Sequence, residues 1–417
     1  MASSSHGPAR KSQAGANAGV PVAGLSPAAR LTLEDACLKL LSIHRPAPGG
    51  AVRTFLYNHD LLLDDADLTA AAEAYPAIFP ALDHEALRRR FRRVDDEANR
   101  MKASSSRLGL ISIALVAWAL IGASTAHVTE ALPGARLLAG LAVLGGLIGV
   151  LIGGLGVMHS RRKDRWLWLR FETERLRQFF FQTHVVLAPD ILRAAASGHW
   201  QDFHAIRAAA FARFEQTLNT ELREQFDLSL QDMPGRDPPP DRWLIRQPSP
   251  AALSEDSPAV HQLREAYRCL RLDGQRAFSQ HKLGKSGAWF STQPADQLQT
   301  LKWVGGSAIL ATVLLHLILA GALFGAWWEG AAPWLHIVAI WLAIVALAVR
   351  TIDEGMRPGR EIERYRAYRD GSRNILQRFD QAATMAEALR AMREMEELSY
   401  DEMIAFLRTN KEGSFAM

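Results

Sequence analysis

The side chains able to move a proton or hold an anion are few, and they are scattered along the 417 residues. Asn58, His59 and Asp60 form a polar triplet, and Asp64, Asp65 and Asp67 an acidic one. His316 and His336 stand alone in apolar sequence. A histidine beside a carboxylate can relay a proton, and paired carboxylates can divide acid and base roles. The spacing here fits neither use: the first triplet reads as a turn and the second as a solvated helix start. The sequence contains no GxSxG, HExxH or P-loop, and no GxGxxG after a strand. No catalytic residue, no cofactor and no enzyme activity are expected. Cys37 and Cys269 are far apart and belong to no CxxC or His-bearing metal spacing, so neither a disulfide scaffold nor a structural zinc is expected.

The remaining chemistry is cationic. Arg88, Arg89, Arg90, Arg92 and Arg93 form one cluster, and Arg161, Arg162, Lys163 and Arg165 form another. Such runs can bind a nucleotide or a lipid headgroup, but a membrane-apposed helix face accounts for them, because each basic residue near anionic lipid gains about 1 kcal/mol without a pocket. The formal charge of +4 comes mainly from clusters of this kind, so a nucleic-acid partner is not expected. The partner implied is a bilayer with anionic headgroups.

Four apolar stretches explain the placement of these clusters: Leu108 to Val128, Arg136 to Val157, Trp303 to Trp327 and Trp334 to Val349. A hydrocarbon core of about 30 Å needs roughly 20 apolar residues in a helix. Trp327, Trp328 and Trp334 suit the headgroup level at the last entry. Brief links carrying Pro133, Gly134 and Gly330 make each pair of spans a hairpin. The basic clusters flank the first hairpin; Lys282, Lys285 and Lys302 precede the second, and Arg350, Arg357 and Arg360 follow it. The positive-inside rule then places both termini and every long segment in the cytoplasm. The fold class expected is an all-α integral membrane protein with four transmembrane helices in two hairpins. No span has an Asp or Glu at its middle, which disfavours ion-coupled transport. His316 and His336 are expected to make interhelical hydrogen bonds or to sit near the interface.

The chain divides into a disordered start at 1–30, which has no apolar signal segment, and a helical region at 31–107. The first hairpin occupies 108–157 and is followed by helices over 158–231 and a proline-rich linker at 232–258. A helix and connector at 259–302 lead to the second hairpin at 303–349, and helices fill 350–417. After the second span, Trp166, Trp168, Phe171 and Phe179 to Phe181 alternate with Arg165, Arg170, Arg175 and Arg177. This pattern predicts aromatic rings at the interface with arginines reaching phosphates. At the other end, helices are expected from Arg360 to about Asp370 and from Ile375 to Arg408. Met385, Leu389, Met392, Glu396, Ser399, Met403 and Phe406 form a stripe on the second of these, open to a coiled coil or to packing within the chain.

Two patterns bear on assembly. Gly145, Gly149 and Gly153 put a small residue at every fourth position of the second span, which suits close packing within the hairpin or between subunits of an oligomer. Glu172, Glu174 and Arg175 after the first hairpin are echoed by Glu361, Glu363 and Arg364 after the second, an echo open to duplication or to chance, since Glu and Arg are frequent in such helices.

Asp95, Glu97, Ala98, Asn99 and Lys102 before the first span, with Arg161, Asp164, Arg165, Trp166, Arg170, Glu174 and Arg177 after the second, resemble the SLATT family over residues 85 to 185. That resemblance implies two transmembrane helices with a cytoplasmic helical extension. It also implies a bacterial membrane-permeabilising effector of conflict systems, controlled by a nucleotide-sensing partner. The second hairpin and the lack of an obvious sensor domain depart from that pattern. The leading expectation is an oligomeric inner-membrane pore former or membrane disruptor controlled by its cytoplasmic helices, with a protein or nucleotide trigger. A non-conducting anchor for a soluble partner and a small-solute transporter are the alternatives.

Overall fold

A computed structural model of the protein describes residues 60–128, 134–154, 162–219, 243–245, 257–287, 289, 293–323 and 332–412. The expectations for 1–30, for Asn58 and His59, for Arg161 and for most of the proline-rich segment lie outside these residues. Every regular element among the described residues is helical.

Short helices α1 (Asp65–Ala74) and α2 (Phe79–Leu82) lead into α3 (Glu85–Val128). Its 44 residues contain no proline, so nothing interrupts the hydrogen-bond ladder where charged sequence gives way to apolar. Helix α4 (Ala135–Leu151) returns alongside it from a turn in which Gly134 adopts φ +103°, a conformation that favours glycine. The second hairpin joins α10 (Pro294–Leu323) to α11 (Ala332–Met356). The apolar stretches of α3, α4, α10 and α11 reach mean hydropathies of 2.0, 2.3, 2.0 and 2.2 and are long enough to cross a membrane. Among the described residues, all exposed large apolar side chains except Ile206 and Trp289 sit on these four helices, including Leu137 and Val143 at 69% and Leu317 at 64% exposure. Water would penalise so large an apolar face.

The four helices lie in the order α4, α3, α11, α10. Gly145, Gly149 and Gly153 all face α3 of their own hairpin. A Cβ on Gly149 would lie 3.0 Å from that of Leu115 and 3.1 Å from the backbone nitrogen of Val116, and one on Gly153 would meet the Ser112 hydroxyl. The Ser112 hydroxyl donates to the Gly149 carbonyl at 2.8 Å. Between hairpins, the Trp341 indole N–H donates to the Ser124 hydroxyl at 3.2 Å. His316 is exposed and bonds the Thr312 carbonyl of its own helix at 2.7 Å, so it makes no interhelical contact there.

The charged sequence forms one bundle around α5 (Arg162–Val186). Helices α6 (Ala188–Ser197), α7 (Gln201–Asn219), α8 (Pro258–Tyr267) and α9 (Gly274–Leu283) pack with it, as do α12 (Pro358–Gln381) and α13 (Met385–Glu412). A π-helical turn, Arg268–Asp273, joins α8 to α9. Even the proline-rich segment contributes: Ile245 is buried, and the Leu244 N–H donates to Gln182 Oε1 at 2.8 Å.

Four expectations are corrected here. Phe171, Phe179, Phe180 and Phe181 are buried in the bundle core and do not form an interfacial belt, and Arg175 and Arg177 are buried with them. Alternating Phe and Arg suits a core helix with paired charges as well as it suits a membrane surface. Helix α12 runs on through Gly371 to Gln381: the glycine marks a close approach, since a Cβ there would lie 2.9 Å from Leu398 Cδ2. Asp67 is buried and is not part of a solvated helix start. Cys269, buried in the π turn, is disulfide-bonded, and Cys37, the chain's other cysteine, lies outside the described residues. Distance along the chain does not limit which cysteines the fold brings together.

Gly149→Val drives a branched side chain into α3 and is expected to cost about 1–3 kcal/mol through overpacking. Gly140→Ala, where nothing lies within 4 Å, is expected to be neutral or stabilising. Thermal midpoints of the detergent-solubilised variants check the contrast, and equal midpoints would remove the packing role of the stripe.

Candidate functional site

The echoed residues meet on one helix. Arg175 on α5 lies over the Tyr400 ring at 5.3 Å, and Arg364 on α12 over the Phe406 ring at 5.0 Å. Both rings belong to α13, which packs against α5 and α12. Thus α13 bridges the helix leaving the first hairpin and the helix leaving the second. The stripe from Met385 to Phe406 supplies its inner face: Met385, Met392, Glu396 and Met403 are all but inaccessible, and they pack within the chain.

The other echoed residues have different partners. Glu172 receives Arg90 at 2.7 Å, and Arg90 also reaches Glu215 at 2.7 Å. Glu174 receives Arg170 at 2.5 Å and Arg177 at 2.6 Å. Burial would raise the Glu174 carboxyl, but the two arginines outweigh it and hold the group at about 2. Arg175 donates to Gln178 Oε1 at 2.8 Å. Arg364 pairs with Glu402, Glu361 lies 3.9 Å from its Nη2, and Glu363 is exposed.

Behind α13 lies a pairing that sequence spacing does not reveal. Arg271 in the π turn donates to both oxygens of Glu396, at 2.9 and 3.0 Å, and both side chains are almost wholly excluded from solvent. The Tyr267 hydroxyl lies 2.8 Å from Glu396 Oε1 and donates to it. Burial, and then the adjacent carboxylate, push that phenol well above its usual range and keep it a donor. Arg271 also covers the Phe181 ring at 4.5 Å. A second buried pair joins Arg177 to Asp60 at 2.9 Å. Sequence reasoning read Asp60 only as part of a turn and missed Tyr267 and Arg271; the one available signal for Glu396 was a lone acid in a mostly apolar stripe.

The basic clusters are used unevenly. Arg88 is buried against Asp83 at 2.5 Å, and Arg90 is tied up as described. Arg89 pairs with Glu85, and Arg92 and Arg93 are exposed. Arg165 pairs with Glu97 at 3.0 Å, and Lys163 donates to the Lys411 carbonyl at 2.6 Å, fastening the end of α13 beside the exit of the first hairpin. Arg162 begins α5.

Among the described residues, no group of three or more His, Cys, Asp or Glu is placed to hold a metal ion. The arrangement couples helices and presents charge. No family model matches the chain, and no curated protein or solved structure is similar to it.

Glu396→Ala leaves Arg271 buried without its counter-charge, and about 3–5 kcal/mol of stability is expected to be lost. The double variant Arg271→Met, Glu396→Leu should recover much of that loss, as denaturant or thermal unfolding can check. A pH effect arises elsewhere in the bundle. Burial, and then Arg207, lower His84 to about 3 and His184 to about 4 from an ordinary value of 6.5. Below pH 6.5 the unfolded chain takes up protons that the folded one refuses, so stability is full above that pH and falls as pH drops towards 4. His184→Leu should flatten the decline in thermal midpoint between pH 7 and pH 4.5.

Proposed function

We propose that the protein is an oligomeric effector of a bacterial inner membrane, in which the cytoplasmic bundle sets how the two hairpins pack and so opens a pore or disturbs the bilayer. The observation that carries this reading is the coupling through α13. One helix is bonded to the segments leaving both hairpins, while α3 runs unbroken from the paired charges of the bundle into the apolar layer. A displacement of α13 by a protein or nucleotide trigger would therefore reach both hairpins. Such a role is in keeping with the resemblance to the SLATT family. Among the described residues the apolar stretches of these helices expose mainly leucine, isoleucine, valine and tryptophan, so a conducting path would have to form between subunits.

A non-conducting anchor is the second reading, favoured by those largely apolar faces. Orientation follows from the basic flanks of both hairpins. The disulfide at Cys269 pulls the other way, because disulfides persist mainly in oxidising compartments. The flanks outweigh it in this proposal because four separate boundaries agree.

A C-terminal green fluorescent fusion should fluoresce, and an alkaline phosphatase fusion at the same point should be inactive; the reverse result would invert the topology. Induced expression should depolarise cells loaded with a potential-sensitive dye. Ser105→Pro, which breaks α3 between bundle and apolar layer, should abolish depolarisation while leaving the protein in the membrane fraction. Unchanged potential in wild-type cells under every trigger tried would favour the anchor.

A further inference from the structure

Between α5, α9, α12 and α13 lies a cavity of about 30 Å³, lined by Arg170, Glu174, Phe278, Arg364, Tyr365 and Glu402 among others. It has room for about two water-sized groups, enough to receive two oxygens of one anionic group and too little for a sugar or base. Two lysines from separate elements flank it. Lys282, at the end of α9, lies 5.7 Å from the centre of the Phe278 ring in the cavity wall. Lys102, on α3, lies 5.7 Å from the Trp166 ring, which itself packs against Phe406 of the same wall.

The charges around this cavity are unevenly paired. Arg170 is taken up by Glu174 and Asp95, and one nitrogen of Arg364 by Glu402. Glu361 is the one carboxylate left near Lys102, Lys282 and the rest of Arg364. Neither lysine makes an ion pair; each has only an aromatic face beneath it. Arg364 has a side chain only 8% exposed, yet its Nε and Nη2 donate no hydrogen bond, and Glu361 at 3.9 Å is beyond reach of one. A guanidinium buried with free donors, beside two unpaired ammonium groups, is the arrangement an oxyanion completes.

We propose that this cavity binds a phosphate-type oxyanion through Arg364, Lys102 and Lys282. The anion is either the phosphodiester of an anionic lipid or a free phosphate-bearing solute. The crowding of cations is felt by the lysines: burial, and then Lys102, push Lys282 down to about 8, with Arg170 and Arg364 adding to the effect and Glu361 opposing it. A bound anion would reverse that shift. Lys102 lies six residues before Leu108, within about 9 Å of the first apolar stretch along the helix, so a headgroup and a soluble phosphate can both reach it. Because the cavity touches α5, α12 and α13 together, its occupant would brace the bridge between the hairpins. The binding site itself stands without the effector reading.

The test uses the full-length protein in neutral detergent and in nanodiscs. In detergent, inorganic phosphate at millimolar concentration should raise the thermal midpoint more than chloride of equal ionic strength if the ligand is a free phosphate. If it is a lipid, the rise should instead come from nanodiscs containing phosphatidylglycerol compared with pure phosphatidylcholine. In either case Lys102→Gln, Lys282→Gln together should weaken the apparent affinity at least five-fold. Without ligand the same double variant should be no less stable than wild type, because it removes two like charges held close together. Arg92→Gln, Arg93→Gln, at exposed positions away from the cavity, should bind as wild type does. No specific rise in either arm, or an equal rise in the double lysine variant, would overturn the proposal. Binding without any depolarisation of cells would leave it standing and remove only the effector reading.

Discussion

One helix carries both paired charges and an apolar stretch long enough to cross a membrane, and the rest of the architecture follows from that constraint. At its first turns α3 carries Arg88 and Arg90, which are matched by Asp83, Glu172 and Glu215. At its far end it offers leucine, isoleucine and tryptophan, and Ser112, Ser124 and Thr125 make hydrogen bonds within α3 or to the neighbouring helices. In hydrocarbon a backbone can be satisfied only within its own helix, so the apolar half has to be regular. In the bundle each charge needs a partner, so the polar half has to be surrounded. The hairpin partner α4 and the core helix α5 answer these two demands separately.

The bundle answers its demand with an unusual concentration of buried arginine. Arg175, Arg177 and Arg271 are among the largest side chains wholly removed from solvent, and each lies over an aromatic ring. A guanidinium stacked on a ring and paired with a carboxylate loses less on burial than an ammonium, because it is more weakly hydrated and its donors are already set in a plane. These pairs contribute little net stability compared with an apolar core of the same shape. What they fix is register: Arg271 reaches Glu396 in only one alignment of α13 against the π turn.

Legibility in the sequence followed the range of the signal. The four apolar helices were readable because length and composition are local properties, and α3 was readable because its charge ran into its hydrophobicity without a breaker. The role of α5 was not, since its alternating Phe and Arg describe a membrane surface and a salt-bridged core in the same letters. Asp60 and the Tyr400 ring distinguish the two, and each lies more than a hundred residues from its arginine partner on α5. Gly371 misled for a similar reason: a glycine is a break or a close approach depending on whether Leu398 stands opposite. The site at the junction was half visible, in the echoed Glu and Arg residues, while Lys102 and Lys282 gave no hint that they flank one cavity.

The two hairpins are joined to the bundle by different kinds of joint. Helix α3 enters straight, but α11 ends at Arg357, whose φ of +49° turns the chain through a left-handed corner before Pro358 starts α12. A residue with a side chain holds that conformation at some strain, and the corner has few torsions to absorb rotation. The first joint is therefore a continuous rod and the second a fixed corner, so a twist of the bundle would be carried to the two hairpins in different directions.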